Sequence, residues 1–205
     1  MNDVGADTSI KAKRKQQLRK QLRAARMALD ETTAQHAADS VTARLRTLEA
    51  WSSAKTIGGY LALNGELDTT GVASAATSDD KHYFLPVVDG KQLRFRRWAP
   101  DEPLAPNRFG IGEPLAGAKE TVEFDILIVP LVGWASGGAR LGMGGGFYDR
   151  FLADSANVVG FRLGLAFEAQ RDELIRELHE PWDQAMDGVI TEKGFYDFTT
   201  LEDAR

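Results

Sequence analysis

The sequence predicts an α/β fold with a mostly parallel central sheet covered by helices on both faces. Three observations carry that expectation. Strand candidates alternate with helical segments, the pattern of parallel sheets with helical crossovers. The run DILIVPLVGW (Asp125 to Trp134) reads as a buried strand. The chain, 205 residues and 43% hydrophobic, is long and apolar enough to bury one sizeable core.

Element by element, Lys13 to Leu29 reads as a helix, because Leu18, Leu22, Ala25 and Leu29 fall on one stripe of a 100° wheel. Lys15, Arg19 and Arg26 stand at the edge of that stripe, within about 40° of one another. A second helix is expected from Asp30 or Glu31 to Ala50, with Asp30 as N-cap. TIGGYLAL (Thr56 to Leu63) is a strand candidate. LDTTGVASAATS suggests a helix capped by Asp68 or Thr69. HYFLPVV and QLRFRRW (Gln92 to Trp98) read as strands joined through Asp89-Gly90, a favoured hairpin turn. Ala99 to Lys119, rich in Pro and Gly, is expected to be irregular. DILIVPLV then reads as strand, GGFYDRFLAD as helix, VVGFRLGLAF as strand, QRDELIRELH as helix and DGVITE as a last strand. One domain over residues 1–205 is expected, with 1–12 as a flexible tail.

Composition excludes several function classes. The chain has no cysteine, so disulfides, thiolate metal sites and cysteine nucleophiles are absent, which suits a reducing cytoplasm. The N-terminus has no apolar signal core and no segment approaches a membrane span, so a soluble cytoplasmic protein is expected. The net charge of −5 is unevenly spread. Lys11 to Leu29 carries eight basic residues and no acidic one, while Asp30 to Arg205 carries −11. One basic helix on an acidic body argues against general nucleic-acid binding and allows a local site for a small anion.

The most informative stretch is GGARLGMGGGFYDR (Gly137 to Arg150), in which six of fourteen residues are glycine. Each glycine costs roughly 0.5–1 kcal/mol relative to alanine in a regular element, so the backbone here serves a purpose. The stretch is not a P-loop, since no Lys-Ser/Thr pair follows. Nor is it a dinucleotide fingerprint: Gly142 and Gly144 are spaced correctly, but Phe147 takes the third glycine position. What remains is a strand, a glycine-dense loop and a helix beginning near Phe147. Converging backbone N–H groups, with Arg140 and Arg150, can hold phosphate oxygens, and Asp149 can hold a Mg²⁺ that bridges them. The alternative is a tight strand-to-helix turn whose acidic first turn complements the dipole. Alone, Glu66 reads as loop solvation and Asp187 as a turn residue. His36, His82 and His179 lack metal-ligand spacing, and GWASGG is not the serine-hydrolase elbow.

Taken together, these pieces resemble the 5-formyltetrahydrofolate cyclo-ligase family, also called methenyltetrahydrofolate synthetases. The resemblance covers Lys11 to Glu192. It rests on Lys15-x-x-x-Arg19, YLALNGELDT, Pro86, the GIGEP run, ARLGMGGGFYDRFL and PWDQAMDGVITE, in that order. It implies ATP- and Mg²⁺-dependent conversion of 5-formyltetrahydrofolate, with or without a polyglutamate tail, to 5,10-methenyltetrahydrofolate. The implied fold is a three-layer α/β/α sandwich related to sugar-phosphate isomerases and CoA transferases.

The resemblance also implies site residues. Lys15 and Arg19 contact the ATP phosphates, and Arg140, Leu141, Gly142, Met143, Gly144, Gly145, Gly146, Phe147 and Tyr148 wrap them. Lys15, Arg19 and Arg140 position phosphate, and no protein nucleophile is needed. Leu61, Glu66 and the Met143 to Phe147 portion hold the folate. Asp149 and Asp187 are the metal carboxylates. Some members carry basic residues where this chain has Met143 and Gly145, which leaves Arg140, Lys15 and Arg19 as the loop's positive charge. A monomer without nucleic-acid or membrane partners is expected. The rival readings are a non-catalytic folate or nucleotide sensor on the same scaffold and a nucleic-acid-binding arm over Lys11 to Arg26.

Overall fold

The computed structural model describes the backbone of residues 3–199 and the side chains of 10–199. In chain order the elements are α1 (Asp3–Met27), α2 (Glu31–Leu45), α3 (Glu49–Ser53), β1 (Thr56–Gly58) and α4 (Thr70–Ser78). Then come β2 (His82–Asp89), β3 (Gln92–Arg97), β4 (Leu104–Pro106), β5 (Gly112–Pro114), β6 (Glu120–Thr121) and β7 (Glu123–Val129). β8 (Gly133–Trp134), β9 (Arg140–Leu141), α5 (Phe147–Ala153), β10 (Val158–Leu165), α6 (Leu174–Glu177), β11 (Gly188–Ile190) and β12 (Phe195–Asp197) complete the chain.

One eight-stranded sheet, ordered β12-β11-β10-β7-β1-β2-β3-β6, unites strands from Thr56 to Asp197. Its centre, β11-β10-β7-β1-β2, is parallel throughout. The flanks β12, β3 and β6 are antiparallel. The mostly parallel α/β class expected from the alternation is therefore observed.

Strand periodicity sets the layers. Ile126 and Ile128 of β7 face a core that includes Val41 and Leu45 of α2, Trp51 of α3 and Val72 of α4. Leu127 and Val129 point the other way, toward Phe151 of α5, Phe95 and Trp134. A third cluster joins Leu18 and Leu22 of α1 to Leu141 of β9 and Ile175 of α6. Each fully buried leucine contributes roughly 1.5–3 kcal/mol, so this stripe fastens the basic helix beside the β8–β9 hairpin.

Several boundaries differ from expectation. α1 begins at Asp3 rather than Lys13, so the segment expected as a tail is helical from Asp3, and Lys11 within it donates to the His179 carbonyl at 3.0 Å. Residues 1 and 2 lie outside the described residues. α2 stops at Leu45, and the separate α3 carries Trp51 into the core. Asp30 caps α2 as expected, accepting from the Thr33 N–H at 2.8 Å. β1 ends at Gly58 instead of Leu63, which frees residues 59–69 as a loop at the carboxyl end of the sheet. The Pro/Gly-rich excursion folds into the β4–β5 hairpin. Among the described residues no helix is long and apolar enough to cross a membrane.

Candidate active site

Beyond the carboxyl end of β7, the chain turns through the β8–β9 hairpin and presents Arg140 and Leu141 at the start of the glycine loop. Gly144 has φ +97° and Gly146, the N-cap of α5, has φ +64°. Other residues seldom adopt this backbone, which explains two of the glycines. A Cβ on Gly146 would also meet the Arg150 guanidinium at 2.9 Å. A Cβ on Gly144 would stand 3.5 Å from the Arg19 guanidinium, ordinary contact, so it is the backbone conformation and not space that reserves this position for glycine.

The loop forms one wall of a cleft of about 460 Å³. α1 supplies the facing wall. Its buried Leu18–Leu22 stripe turns Lys15 and Arg19 inward, and Arg19 Nε donates to the Gly142 carbonyl at 2.7 Å. The remaining rim is Asp149, Arg150 and Ala153 of α5, with Trp182 and Asp183 from the segment after α6. Lys15 Nζ donates to Asp183 Oδ2 at 2.9 Å.

Arg140 is the buried cation of the site, 6% exposed. Its Nη2 pairs with Asp149 Oδ1, which also accepts from the Gln184 N–H at 3.3 Å. The buried Arg140 Nε has no hydrogen-bond partner among the described residues. A buried N–H without an acceptor costs about 1–3 kcal/mol, so an anion here would relieve a standing penalty. Burial lowers the Arg140 pKa, and the nearby Asp149 and Asp183 charges oppose that shift. For Asp183 the balance goes the other way. Burial alone would raise it, but hydrogen bonds from Lys15 and the Glu180 N–H hold it below the ordinary carboxylate range.

A second buried polar group centres on Arg26 and Glu66. The buried Arg26 donates to the carbonyls of Asn64 at 3.1 Å and Leu131 at 3.3 Å, and its Nη2 stands 3.7 Å from Glu66 Oε1. Glu66 Oε2 accepts from the Leu63 N–H at 3.1 Å. Burial raises the Glu66 pKa, with Arg26 opposing. Its charge in turn reaches the buried hydroxyls of Tyr60 and Tyr148, whose pKa values burial already pushes well up. The Tyr148 hydroxyl has no hydrogen-bond partner among the described residues.

The structure thus brings Lys15, Arg19, Arg140, Leu141, Gly142, Gly144, Gly145, Gly146 and Asp149 into one cleft. Met143 is exposed beside it, Phe147 lies under the Arg150 guanidinium, and Tyr148 buries its hydroxyl. Leu61 and Glu66 stand on the loop after β1, outside the cleft lining. Asp187, expected beside Asp149 as a second metal carboxylate, is not brought there. It sits at the amino end of β11, level with Arg162, whose Nη2 and Nε hold its two oxygens at 2.6 and 3.0 Å. The carboxylate that joins Asp149 in the cleft is Asp183, four residues earlier. Nothing local in PWDQAMD shows that Asp183 faces Lys15, so the sequence alone does not mark it as a site residue.

The family model described as the 5-formyltetrahydrofolate cyclo-ligase family matches residues 11–192. The chain belongs to that family. It is therefore a ligase of folate one-carbon metabolism. Among relatives called 5-formyltetrahydrofolate cyclo-ligase, the Haemophilus influenzae protein is 35% identical over 187 residues, covering 88% of this chain and 99% of its own. The Escherichia coli K12 protein is 32% identical, covering 83% of this chain and 96% of its own. Among solved structures, the Aquifex aeolicus 5,10-methenyltetrahydrofolate synthetase superposes with a TM-score of 0.79 at 29% identity, over 91% of this chain and 93% of that one.

The residues present fit a nucleotide triphosphate. The orphaned Arg140 Nε asks for an acceptor, and Lys15 and Arg19 stand within the same cleft. They also fit Mg²⁺ of the kind bound mainly by phosphate and water. Among the described residues no group of three or more metal-ligating side chains exists, and Mg²⁺ in such sites takes one or two carboxylates. Asp149 would be the carboxylate.

Proposed function

We propose that this chain catalyses the ATP- and Mg²⁺-dependent cyclisation of 5-formyltetrahydrofolate to 5,10-methenyltetrahydrofolate, releasing ADP and phosphate. The observation that carries it is the cleft in which Lys15, Arg19 and Arg140 surround a glycine loop with Asp149 at its edge. The nucleotide supplies the phosphoryl group that makes the formyl oxygen a leaving group. The protein needs no nucleophile of its own, in keeping with a chain that has no cysteine.

The side chains then have the work of positioning and charge neutralisation, as in phosphoryl transfer generally. Arg140, desolvated and already oriented by Asp149, donates to phosphate through its free Nε–H. Lys15 and Arg19 place point and planar charge on the same oxygens from α1, while loop N–H groups between Leu141 and Phe147 complete the cradle. Asp149 holds the metal. Glu66, held by Arg26, accepts hydrogen from the donor groups of the pterin, and Leu61 packs beside it. The Met143 to Phe147 backbone serves both ligands.

The substrate is folate, polyglutamylated or not, and the chain acts as a single unit and a monomer. A cysteine-free composition supports a cytoplasmic location. The test is spectrophotometric: near-ultraviolet absorbance of the methenyl product should rise only when ATP, Mg²⁺ and 5-formyltetrahydrofolate are all present. Folded protein that gives no rise would sink the proposal.

A further inference from the structure

The phosphate end of the cleft is accounted for by three cations and a glycine loop, but the lining also holds an indole that nothing above explains. Trp51, Trp98 and Trp134 are buried at 2%, 6% and 0% exposure, whereas Trp182 is 65% exposed. Among the described residues lining the cleft it is the one aromatic side chain. Leaving so large an apolar surface in water forgoes stabilisation that burial would bring. Looseness of the segment does not account for it. Asp183 Oδ2 accepts from Lys15 Nζ at 2.9 Å and from the Glu180 N–H at 3.0 Å, and the Gln184 N–H donates to Asp149 at 3.3 Å. Trp182 is therefore fastened on its C-terminal side to both walls of the cleft, with its ring left in solvent.

We infer that Trp182 is the stacking platform for the base of the bound nucleotide. The inference rests on the proposal above that a nucleotide fills this cleft. It names the nucleotide and not the folate because Trp182 adjoins the Asp183–Lys15 pair on the phosphate side, while Leu61 and Glu66 lie outside the lining. A second consequence concerns selectivity. Among the described residues of the lining there is no Asn, Gln, Ser or Thr side chain. The Gln184 amide, outside the lining, donates to the Trp182 carbonyl at 3.4 Å, and stacking itself tolerates any base because each has a π-face. Purine and pyrimidine nucleoside triphosphates should bind within about tenfold of one another, since base-edge hydrogen bonding is what would separate them further.

The experiment is calorimetric titration of the full chain, with Mg²⁺, by ATP, CTP and inorganic tripolyphosphate, using wild type, Trp182→Ala and Trp182→Phe. Trp182→Ala should raise the ATP Kd about 5- to 150-fold, the usual range for loss of one base–aromatic stack. Trp182→Phe should keep most of the affinity, and tripolyphosphate should bind all three proteins alike. An unchanged ATP Kd in Trp182→Ala overturns the inference. So does an equal loss for ATP and tripolyphosphate, which would mark a structural role, or a higher KM for 5-formyltetrahydrofolate with ATP binding intact. Turnover of the wild type judges the reaction separately. A wild type that binds ATP through Trp182 but forms no methenyl product sinks the proposed reaction and leaves the platform standing. Turnover with Trp182-independent ATP binding does the reverse.

Discussion

Asp149 and Asp187 each pair with an arginine, yet the two pairs differ in what they leave over. Arg162 gives Asp187 two side-chain hydrogen bonds and its own backbone N–H, and those bonds raise the guanidinium's pKa further. Nothing in that pair asks for another partner. Arg140 is more deeply buried, gives Asp149 a single nitrogen and keeps Nε without an acceptor. A saturated pair ties strand to strand, whereas an unsaturated pair at the edge of a cleft is poised for a ligand. The same contrast separates Lys15, shared between Asp183 and the cleft, from surface pairs such as Arg94–Asp89, which solvent screens.

That contrast can be broken in four ways. The largest effect is expected for Asp149→Asn, which keeps the shape of the side chain but removes its charge. Turnover should fall by about 10²-fold or more, the usual scale for losing one electrostatic anchor of a transition state, with a native circular dichroism spectrum. Near-wild-type activity would remove Asp149 from the metal site. Next, Lys15→Ala should raise the KM for ATP about tenfold, the loss of one charge-assisted hydrogen bond, and leave the KM for folate nearly unchanged. A change in folate alone would move Lys15 out of the phosphate site.

Smaller still is Asp187→Asn. Because its partner is Arg162, it should cost about 1–2 kcal/mol in urea unfolding and little activity. A collapse of the Mg²⁺-dependent rate with unchanged stability would return Asp187 to the metal. The smallest effect is a pH dependence at Asp183. Its folded pKa lies below the unfolded one, so its contribution is complete above the unfolded value and is lost as pH falls through the folded value. The stability difference between wild type and Asp183→Asn should therefore be present near pH 7 and be lost as pH falls through the folded value, below the ordinary carboxylate range. A difference that persists in acid would show that Asp183 stabilises by packing instead of charge.

Much of the fold could be read from local pattern. β2, β3, β7 and β10 are apolar or alternating runs with turn residues between them, and all four lie where the runs do. β1 was overestimated because Tyr60, Leu61 and Leu63 continue its apolar pattern. The strand stops at Gly58, and the backbone leaves the sheet at Gly59, where a Cβ would stand 1.8 Å from the Tyr83 hydroxyl. The short β12 pairs only through its register with β11, a contact no local pattern announces. The first turns of α1 carry no apolar stripe, so periodicity placed the helix start late.

For the site, the sequence by itself determined which atoms are available. The glycine density of residues 137–146 and the placement of Lys15 and Arg19 beside the Leu18–Leu22 stripe are local facts, fixed by backbone freedom and by helical periodicity. Only the tertiary structure decided which charges meet. Lys15 and Asp183 are 168 residues apart, and Asp183 differs from Asp187 by a single helical turn's worth of sequence. Asp187 reaches Arg162 because the register of β11 against β10 sets the two level, whereas Asp183 reaches the cleft through Lys15 and the Glu180 N–H.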